Sequence, residues 1–183
     1  MRRPILALSA ALLVFGAAPA VAQQTALVSD LLQDVSQVEQ KMMSLAKAMP
    51  ADRFDWRPGA GVRSFGEVVM HVAADNYLIP ATIGIAPDAS TGIKGDDYKT
   101  AVAYEQRKLG REAAIAEMEK SFAHLKRALQ GTSAERLAQK VKLFGQDFTV
   151  QQTWILAATH LHEHLGQVIA YARSNSVKPP WSQ

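Results

Sequence analysis

The feature that most constrains the fold of this chain is a recurring spacing of apolar residues by alternating intervals of three and four. The first stretch with this spacing contains Val28, Leu31, Val35, Val38, Met42, Leu45 and Met49. A second stretch contains Ile115, Met118, Phe122, Leu125 and Leu129. Such spacing is typical of helices that pack side by side in a bundle.

Two further helices are predicted, one between these stretches and one after them. Ser64 and Glu67 have the spacing of a capping box, which begins a helix that carries His71 and that we expect to stop before Pro80. The last helix is predicted over about 150–174, because apolar residues recur there with helical periodicity. Four helices of this kind predict an all-α fold, namely an antiparallel four-helix bundle.

Two segments between the helices have the composition of connections. Residues 80–100 hold two prolines and three glycines, and we expect a long crossover connection there. Residues 140–150 (KVKLFGQDFTV) alternate in polarity around Gly145 and predict a short β-hairpin.

The N-terminus has the composition of an export signal. Arg2 and Arg3 precede an apolar run that is short for a bilayer span, and residues 20–22 (AVA) have the form of a cleavage site. Residues 1–22 are therefore predicted to be a cleaved secretory signal peptide, and residues 23–183 one mature domain that is secreted or periplasmic. A retained membrane anchor is the alternative.

Composition excludes several classes of function. The chain contains no cysteine, which excludes disulfide scaffolds, zinc–thiolate sites and thiol nucleophiles. Loss of the two N-terminal arginines would lower the formal net charge from +3 to about +1. Because no basic run is interleaved with aromatic residues, nucleic acid is not expected as a partner. No apolar run of the mature chain is long enough to predict stable membrane insertion.

The histidines are the main candidates for a functional site. His160 and His164 lie four residues apart on the last helix, so their rings project from one face. Apolar residues share that face, and an interior pair of imidazoles needs polar partners. A divalent metal would serve both rings, with His71 of the second helix as the third ligand. A hydrogen-bonded histidine cluster without a metal is the alternative.

Several residues near these histidines have open roles. Glu67 and Asp75 lie four residues to either side of His71, and either could accept its second N–H. Glu67 also fits the capping box, and Asp75 also fits a solvated position. Glu163 could transfer a proton, and Tyr171 could line a pocket.

The other two histidines of the helical segments are not assigned to this cluster. His162 projects about 200° from His160 around the helix, which predicts a position on the surface or at an interface. His124 lies next to the apolar stripe of the third long helix and close to Lys120, Lys126 and Arg127. We expect its side chain to be solvated.

Two motifs resemble the signatures of a known family. They span 54–58 (FDWRP), 62–67 (VRSFGE) and 71–73 (HVA) near the N-terminus, and 160–167 (HLHEHLGQ), 171–173 (YAR) and 179–180 (PP) near the C-terminus. In this order they resemble the DinB-like superfamily. The resemblance implies a four-helix bundle, often homodimeric, in which His71, His160 and His164 hold a divalent metal, with Zn²⁺ or Ni²⁺ expected.

The resemblance leaves the reaction open. Characterised relatives include transferases and isomerases that use bacillithiol or mycothiol, and the predicted export signal argues against these cytoplasmic thiols here. Three neutral imidazoles would leave the charge of the ion largely intact. We therefore expect a metal-dependent hydrolase or transferase that acts on a small-molecule substrate, or else a non-catalytic metal- or ligand-binding module. A plain helical interaction domain is the third hypothesis.

Overall fold

The structure is a computed structural model that describes residues 18–143 and 145–182, without the side chains of residues 18–25. Residues 1–17, which make up most of the predicted signal peptide, lie outside the described residues. The signal peptide, its cleavage and the boundary of the mature domain therefore stay predictions.

The described chain is mostly helical and carries one small antiparallel sheet. In chain order its elements are α1 (Ala18–Ala48), α2 (Phe65–Thr82), α3 (Tyr98–Glu105), α4 (Arg111–Gln130), α5 (Ala134–Leu137), β1 (Lys140–Leu143), β2 (Gln146–Thr149) and α6 (Val150–Ser174). Two 3₁₀ turns cover Ala51–Arg53 and Ala89–Thr91. The prediction of an all-α bundle with a long crossover and a short hairpin is confirmed.

The four long helices share one apolar core. Helices α1 and α2 each pack against α4 and α6. The apolar stripes read from the sequence point inward, and the largest side chains of the core are fully buried, among them Phe65, Phe122 and Trp154. The indole N–H of Trp154 donates to the hydroxyl of Thr132, so its polar atom is also satisfied.

The loop before α2 fixes where that helix begins. The Ser64 hydroxyl accepts from the Glu67 backbone N–H, and Glu67 accepts from the backbone N–H of Ser64, which completes the predicted capping box. The Phe54 ring lies directly over Gly66, where an added Cβ would come within 2.7 Å of the ring. A glycine at this position therefore allows the loop to pack closely on α2.

The prediction that the second helix stops before Pro80 is wrong, since α2 includes Pro80 and continues to Thr82. Proline removes one N–H and hence one bond of the helical ladder, but here the helix ends within a turn and little further is lost. The Pro80 carbonyl accepts from the backbone N–H groups of Ile83 and Ile85, which closes the end of the helix.

The crossover connection is more ordered than its composition suggests. It runs from the end of α2 to the start of α4 at Arg111, which is longer than the predicted 80–100, and it contains α3, which packs on α2. Its backbone passes so close to the end of α2 that a Cβ on Gly95 would lie 2.1 Å from the Ala81 carbonyl oxygen. Arg111 at the start of α4 donates to the carbonyls of Lys47 and Met49, which lie at the end of α1. These contacts hold the crossover against the bundle.

Among the described residues, none of the helices combines the length and the apolar character that crossing a membrane requires.

Candidate metal centre

Helices α2 and α6 bring the three predicted histidines together. The ring centroid of His71 lies 5.4 Å from that of His160 and 4.6 Å from that of His164, and the last two lie 4.4 Å apart. One ring nitrogen from each residue lies within 4.8 Å of the others. The arrangement is close enough for one shared ion, and the role of the three residues as ligands stays a prediction.

Glu105 of α3 orients the ring of His71. The His71 ring, which is 8% exposed, places Nδ1 2.5 Å from the Glu105 carboxylate. Burial raises the pKa of Glu105, but hydrogen bonds from His71 and from Arg63 outweigh that effect and the pKa is lowered overall. The ionised carboxylate can only accept, so Nδ1 of His71 donates to it and Nε2 is the ring nitrogen turned toward the cluster.

Gln167 orients the ring of His164. The His164 Nδ1 lies 2.8 Å from the Gln167 side-chain oxygen, to which it donates. The Gln167 amide in turn donates to the Tyr171 hydroxyl at 2.9 Å. Burial lowers the pKa of His164 to about 4, so the ring is neutral near pH 7. Its Nε2 is buried and has no hydrogen-bond partner among the described residues.

Asp75 places a negative charge against the other two rings. Its Oδ2 lies 2.7 Å from Nε2 of His160 and 3.3 Å from Nε2 of His71. The hydrogen bond to Asp75 raises the pKa of His160 against the opposing effect of burial. Nε2 atoms of two rings therefore face one carboxylate oxygen, and the negative charge of that carboxylate would stabilise a cation bound beside them.

The residues present therefore fit a divalent cation. In two of the imidazoles Nδ1 is engaged by a neighbouring acceptor, and Nε2 of His164 is buried without a partner among the described residues. Neutral imidazoles are common ligands of Zn²⁺ and Ni²⁺. Acceptors such as Glu105 and Gln167, which orient a ring through its other nitrogen, are typical of histidine metal sites.

The other predicted residues fall into clear positions. Glu67 belongs to the capping box and also accepts from Arg57, so it does not contact His71. Asp75 is not solvated, since its side chain is 15% exposed. His162 points away from the cluster and lies 2.9 Å from Asp34 of α1. Glu163 approaches His160 only at 3.6 Å and is largely exposed.

The expectation for His124 is wrong, because its ring is buried. Lys120 and Arg127 line a cavity beside it, whereas Lys126 pairs with Glu39, and the Tyr77 ring packs on the imidazole at a centroid distance of 5.4 Å. Tyr171, in contrast, is buried against Trp56 at a centroid distance of 5.5 Å. It supports His164 through Gln167.

Glu105 and Arg63 are the site residues that sequence reasoning missed. Arg63 donates to Glu105 at 3.0 Å, and Glu105 lies 34 positions from its partner His71. No local spacing connects residues of two different elements at that separation. Glu105 lies beyond the connection predicted at 80–100, so that prediction did not point to it either.

Comparisons with known proteins agree with this architecture. A model of the DinB superfamily matches residues 34–168. A solved DinB-like protein from Bacillus subtilis is 17% identical, with a TM-score of 0.63 over 84% of this chain and 97% of its own. One from Bacillus cereus is 15% identical, with a TM-score of 0.68 over 84% and 95%.

A third solved structure is a variant of a mycothiol-dependent maleylpyruvate isomerase. It is 13% identical, with a TM-score of 0.62, and the match covers 77% of this chain and 60% of that protein. At these identities the similarity concerns the fold. The comparison with curated proteins gave no match.

Proposed function

Because the chain belongs to the DinB superfamily, we propose that it is an exported metal-binding protein in which His71, His160 and His164 hold one divalent cation, Zn²⁺ or Ni²⁺. The observation that carries the proposal is the buried Nε2 of His164, which has no partner among the described residues and faces two further imidazoles. A buried acceptor left unpaired costs about 1–3 kcal/mol, and a cation would remove that cost.

Metal content tests the proposal directly. Purified protein should contain one equivalent of metal, and His71→Ala and His160→Ala should each lose it. His162→Ala is the matched control, since it changes a histidine of the same helix that lies beside Asp34 instead of the cluster. Metal-free wild-type protein with an intact fold would instead support a hydrogen-bonded histidine cluster.

The activity that we propose is a metal-dependent hydrolase or transferase reaction on a small molecule. A divalent cation bound by three neutral imidazoles supplies Lewis-acid chemistry. Around it, Glu105 and Gln167 orient two of the rings, and Asp75 holds an acceptor oxygen beside the cluster that can take up a proton. His160 is 24% exposed on its side chain, so a small molecule can approach from that side.

A non-catalytic metal- or ligand-binding module is the second candidate, and the position of Asp75 favours it. Its carboxylate lies close enough to two of the Nε2 atoms to become a fourth protein donor. A closed four-donor site is typical of structural metals, whereas catalytic sites keep one position open. The visible spectrum of the Co²⁺-substituted protein separates the two, because added azide shifts the bands only where a position is open.

Two further parts of the proposal concern the location and the assembly of the protein. Export is supported by the signal-like residues 1–22, and N-terminal sequencing of the protein from a native host should find a start near residue 23. A homodimer is supported by the family resemblance, and light scattering should give twice the chain mass. We also propose that the mature chain neither binds nucleic acid nor inserts stably into a membrane.

A further inference from the structure

A cleft lies between the loop that precedes α2 and the segment that joins α3 to α4, and we call it the α3–α4 cleft. Its volume is about 930 Å³, which lies within the range of small-molecule sites. Phe54, Met70 and Leu109 contribute apolar surface to its wall, as does Val62, which is 38% exposed. The three clustered histidines do not line it, although Glu105 borders both places. A ligand in this cleft would therefore lie beside the metal centre and not in it.

Basic side chains outnumber acidic ones in the wall of the α3–α4 cleft. They are Arg57, Arg63, Arg107 and Lys108, against Asp55, Glu67 and Glu105. Glu67 and Glu105 already accept from arginines of the same wall. Arg107 shares the single charge of Glu117 with Lys120, so that carboxylate neutralises neither cation fully. The wall thus keeps an excess of positive charge, which favours an anionic ligand.

Arg63 and Lys108 carry N–H groups that the protein itself does not use. Only Nη2 of Arg63 contacts Glu105, so its Nε and Nη1 have no acceptor in the part of the chain that the structure describes. Neither atom is shut off from solvent, and the side chain is 41% exposed. Lys108 is exposed, and its ammonium has no ion-pair or hydrogen-bond partner among the described residues. A ligand in the cleft can therefore reach donors on both of its sides.

The Arg63 guanidinium is held in place before any ligand arrives. Its Nη2 lies 3.0 and 3.4 Å from the two carboxylate oxygens of Glu105, and that carboxylate is in turn fixed by His71. A donor that is already oriented loses less entropy on binding than a free side chain. Guanidinium and ammonium groups donate strong, charge-assisted hydrogen bonds to carboxylates.

From these features we propose that the α3–α4 cleft binds the carboxylate of a small organic acid with an apolar body. The carboxylate accepts from the unused N–H groups of Arg63 and from the ammonium of Lys108. The apolar body lies against Val62 and Leu109. Arg63 keeps its contact with Glu105, so the proposal does not rest on the metal-binding function proposed above.

Calorimetric titration with a pair of probes tests the charge of the ligand. 3-Phenylpropionate and 3-phenylpropionamide share one skeleton, and the first has a carboxylate where the second has a neutral amide. The wild-type protein should bind the acid about 10-fold more tightly, because hydrogen bonds to a charged group are stronger. Acetate, which lacks the apolar body, should bind at least about 10-fold more weakly than 3-phenylpropionate.

Lys108→Gln is the main variant, because the Lys108 side chain has no partner in the described chain whose loss would disturb the fold. It should lower the preference for the acid over the amide by about 3-fold. Lys99→Gln is the matched control, since it removes the same charge from an exposed position of α3 that does not line the cleft. Arg63→Gln should lower the preference by about 10-fold.

Asp55 supplies a test of opposite sign. Its carboxylate lines the same cleft and has no partner among the residues that the structure covers, so its charge opposes a bound anion. Asp55→Asn should therefore tighten binding of 3-phenylpropionate by about 2- to 3-fold and leave the amide unchanged. Weaker binding of the acid in this variant would contradict the proposed position of the carboxylate.

A further control is needed because carboxylates also bind metal ions. His160→Ala removes a member of the histidine cluster and should keep the preference for the acid, whatever its metal content. Loss of binding in that variant would assign the acid to the cluster and overturn the proposal. So would the absence of saturable binding to wild-type protein, equal affinities for the acid and the amide, or an unchanged preference in a folded Lys108→Gln variant.

Discussion

The Glu105 carboxylate lies 2.5 Å from Nδ1 of His71, although the two residues belong to α3 and α2 and are 34 positions apart. Arg63, in the loop before α2, holds the same carboxylate from its other side. The crossover connection therefore takes part in the candidate metal centre, because it orients one of the three imidazoles.

Replacement of Glu105 should weaken metal binding without unfolding the protein. Glu105→Gln removes the charge that accepts from Nδ1 of His71, and loss of an acceptor that orients a ligand histidine typically costs about 10- to 100-fold in metal affinity. Competition with a chromophoric chelator measures the effect. Glu119→Gln, an exposed change on α4, is the matched control. Equal affinities of the two variants would show that Glu105 does not act on the site.

The three histidines could be predicted from the sequence because each depends on local helical geometry. The spacing of His160 and His164 places them on one face whatever surrounds the helix, and the stripe of α2 turns His71 toward the core. The roles of Glu105 and His124 could not be predicted in this way. Each depends on how the crossover packs against the bundle, and no periodic pattern describes that packing.

The end of α2 is a further feature that depends on packing between distant segments and not on local helical geometry. Proline inside a helix removes one bond of the ladder and usually ends the helix, and α2 indeed continues for only two residues beyond Pro80. At Pro80 the close passage of Gly95 over the Ala81 carbonyl adds a tertiary contact that holds the last turn. Such a contact joins distant parts of the chain and leaves no local trace in composition.

Gly66→Ala should destabilise the fold. The added methyl group would lie 2.7 Å from the Phe54 ring, and that ring is enclosed by Phe65 at a centroid distance of 5.4 Å. Overpacking of this kind costs about 1–3 kcal/mol, which urea unfolding can measure. Gly59→Ala serves as the control, because a Cβ there meets nothing within 4 Å. Equal stability of the two variants would mean that the loop moves freely away from α2.

Glu117 should contribute to stability in a pH-dependent manner. Burial raises its pKa, but hydrogen bonds from Tyr104, Lys120 and Arg107 outweigh that effect and lower the pKa to about 2. A carboxyl whose pKa is depressed on folding stabilises the protein above its unfolded pKa, near 4.5, and loses that contribution as the pH falls toward 2.

The comparison of wild-type protein with Glu117→Gln isolates this contribution from other acidic groups. The difference in the free energy of unfolding should be on the order of 2 kcal/mol at pH 7 and should vanish toward pH 2. Urea unfolding at several pH values measures it. A difference that is independent of pH would show that the effect of the substitution is steric.

Asp75→Asn should separate the stability of the metal-free protein from its affinity for metal. The amide keeps an oxygen that can accept from His160, so the melting temperature of the metal-free variant should stay within about 5 °C of wild type. Nε2 of His71 lies 3.3 Å from the same side-chain oxygen that contacts His160, so an amide oxygen at that position keeps the geometry of both contacts.

The affinity for a divalent cation should fall by at least about 10-fold in the same variant, because the negative charge beside two Nε2 atoms is lost. Isothermal titration with Zn²⁺ measures this, and Asp34→Asn, which lies beside His162 outside the cluster, is the control. An unchanged affinity together with an unchanged fold would mean that the carboxylate serves only to hold the rings, and that the charge of the site is set by the imidazoles alone.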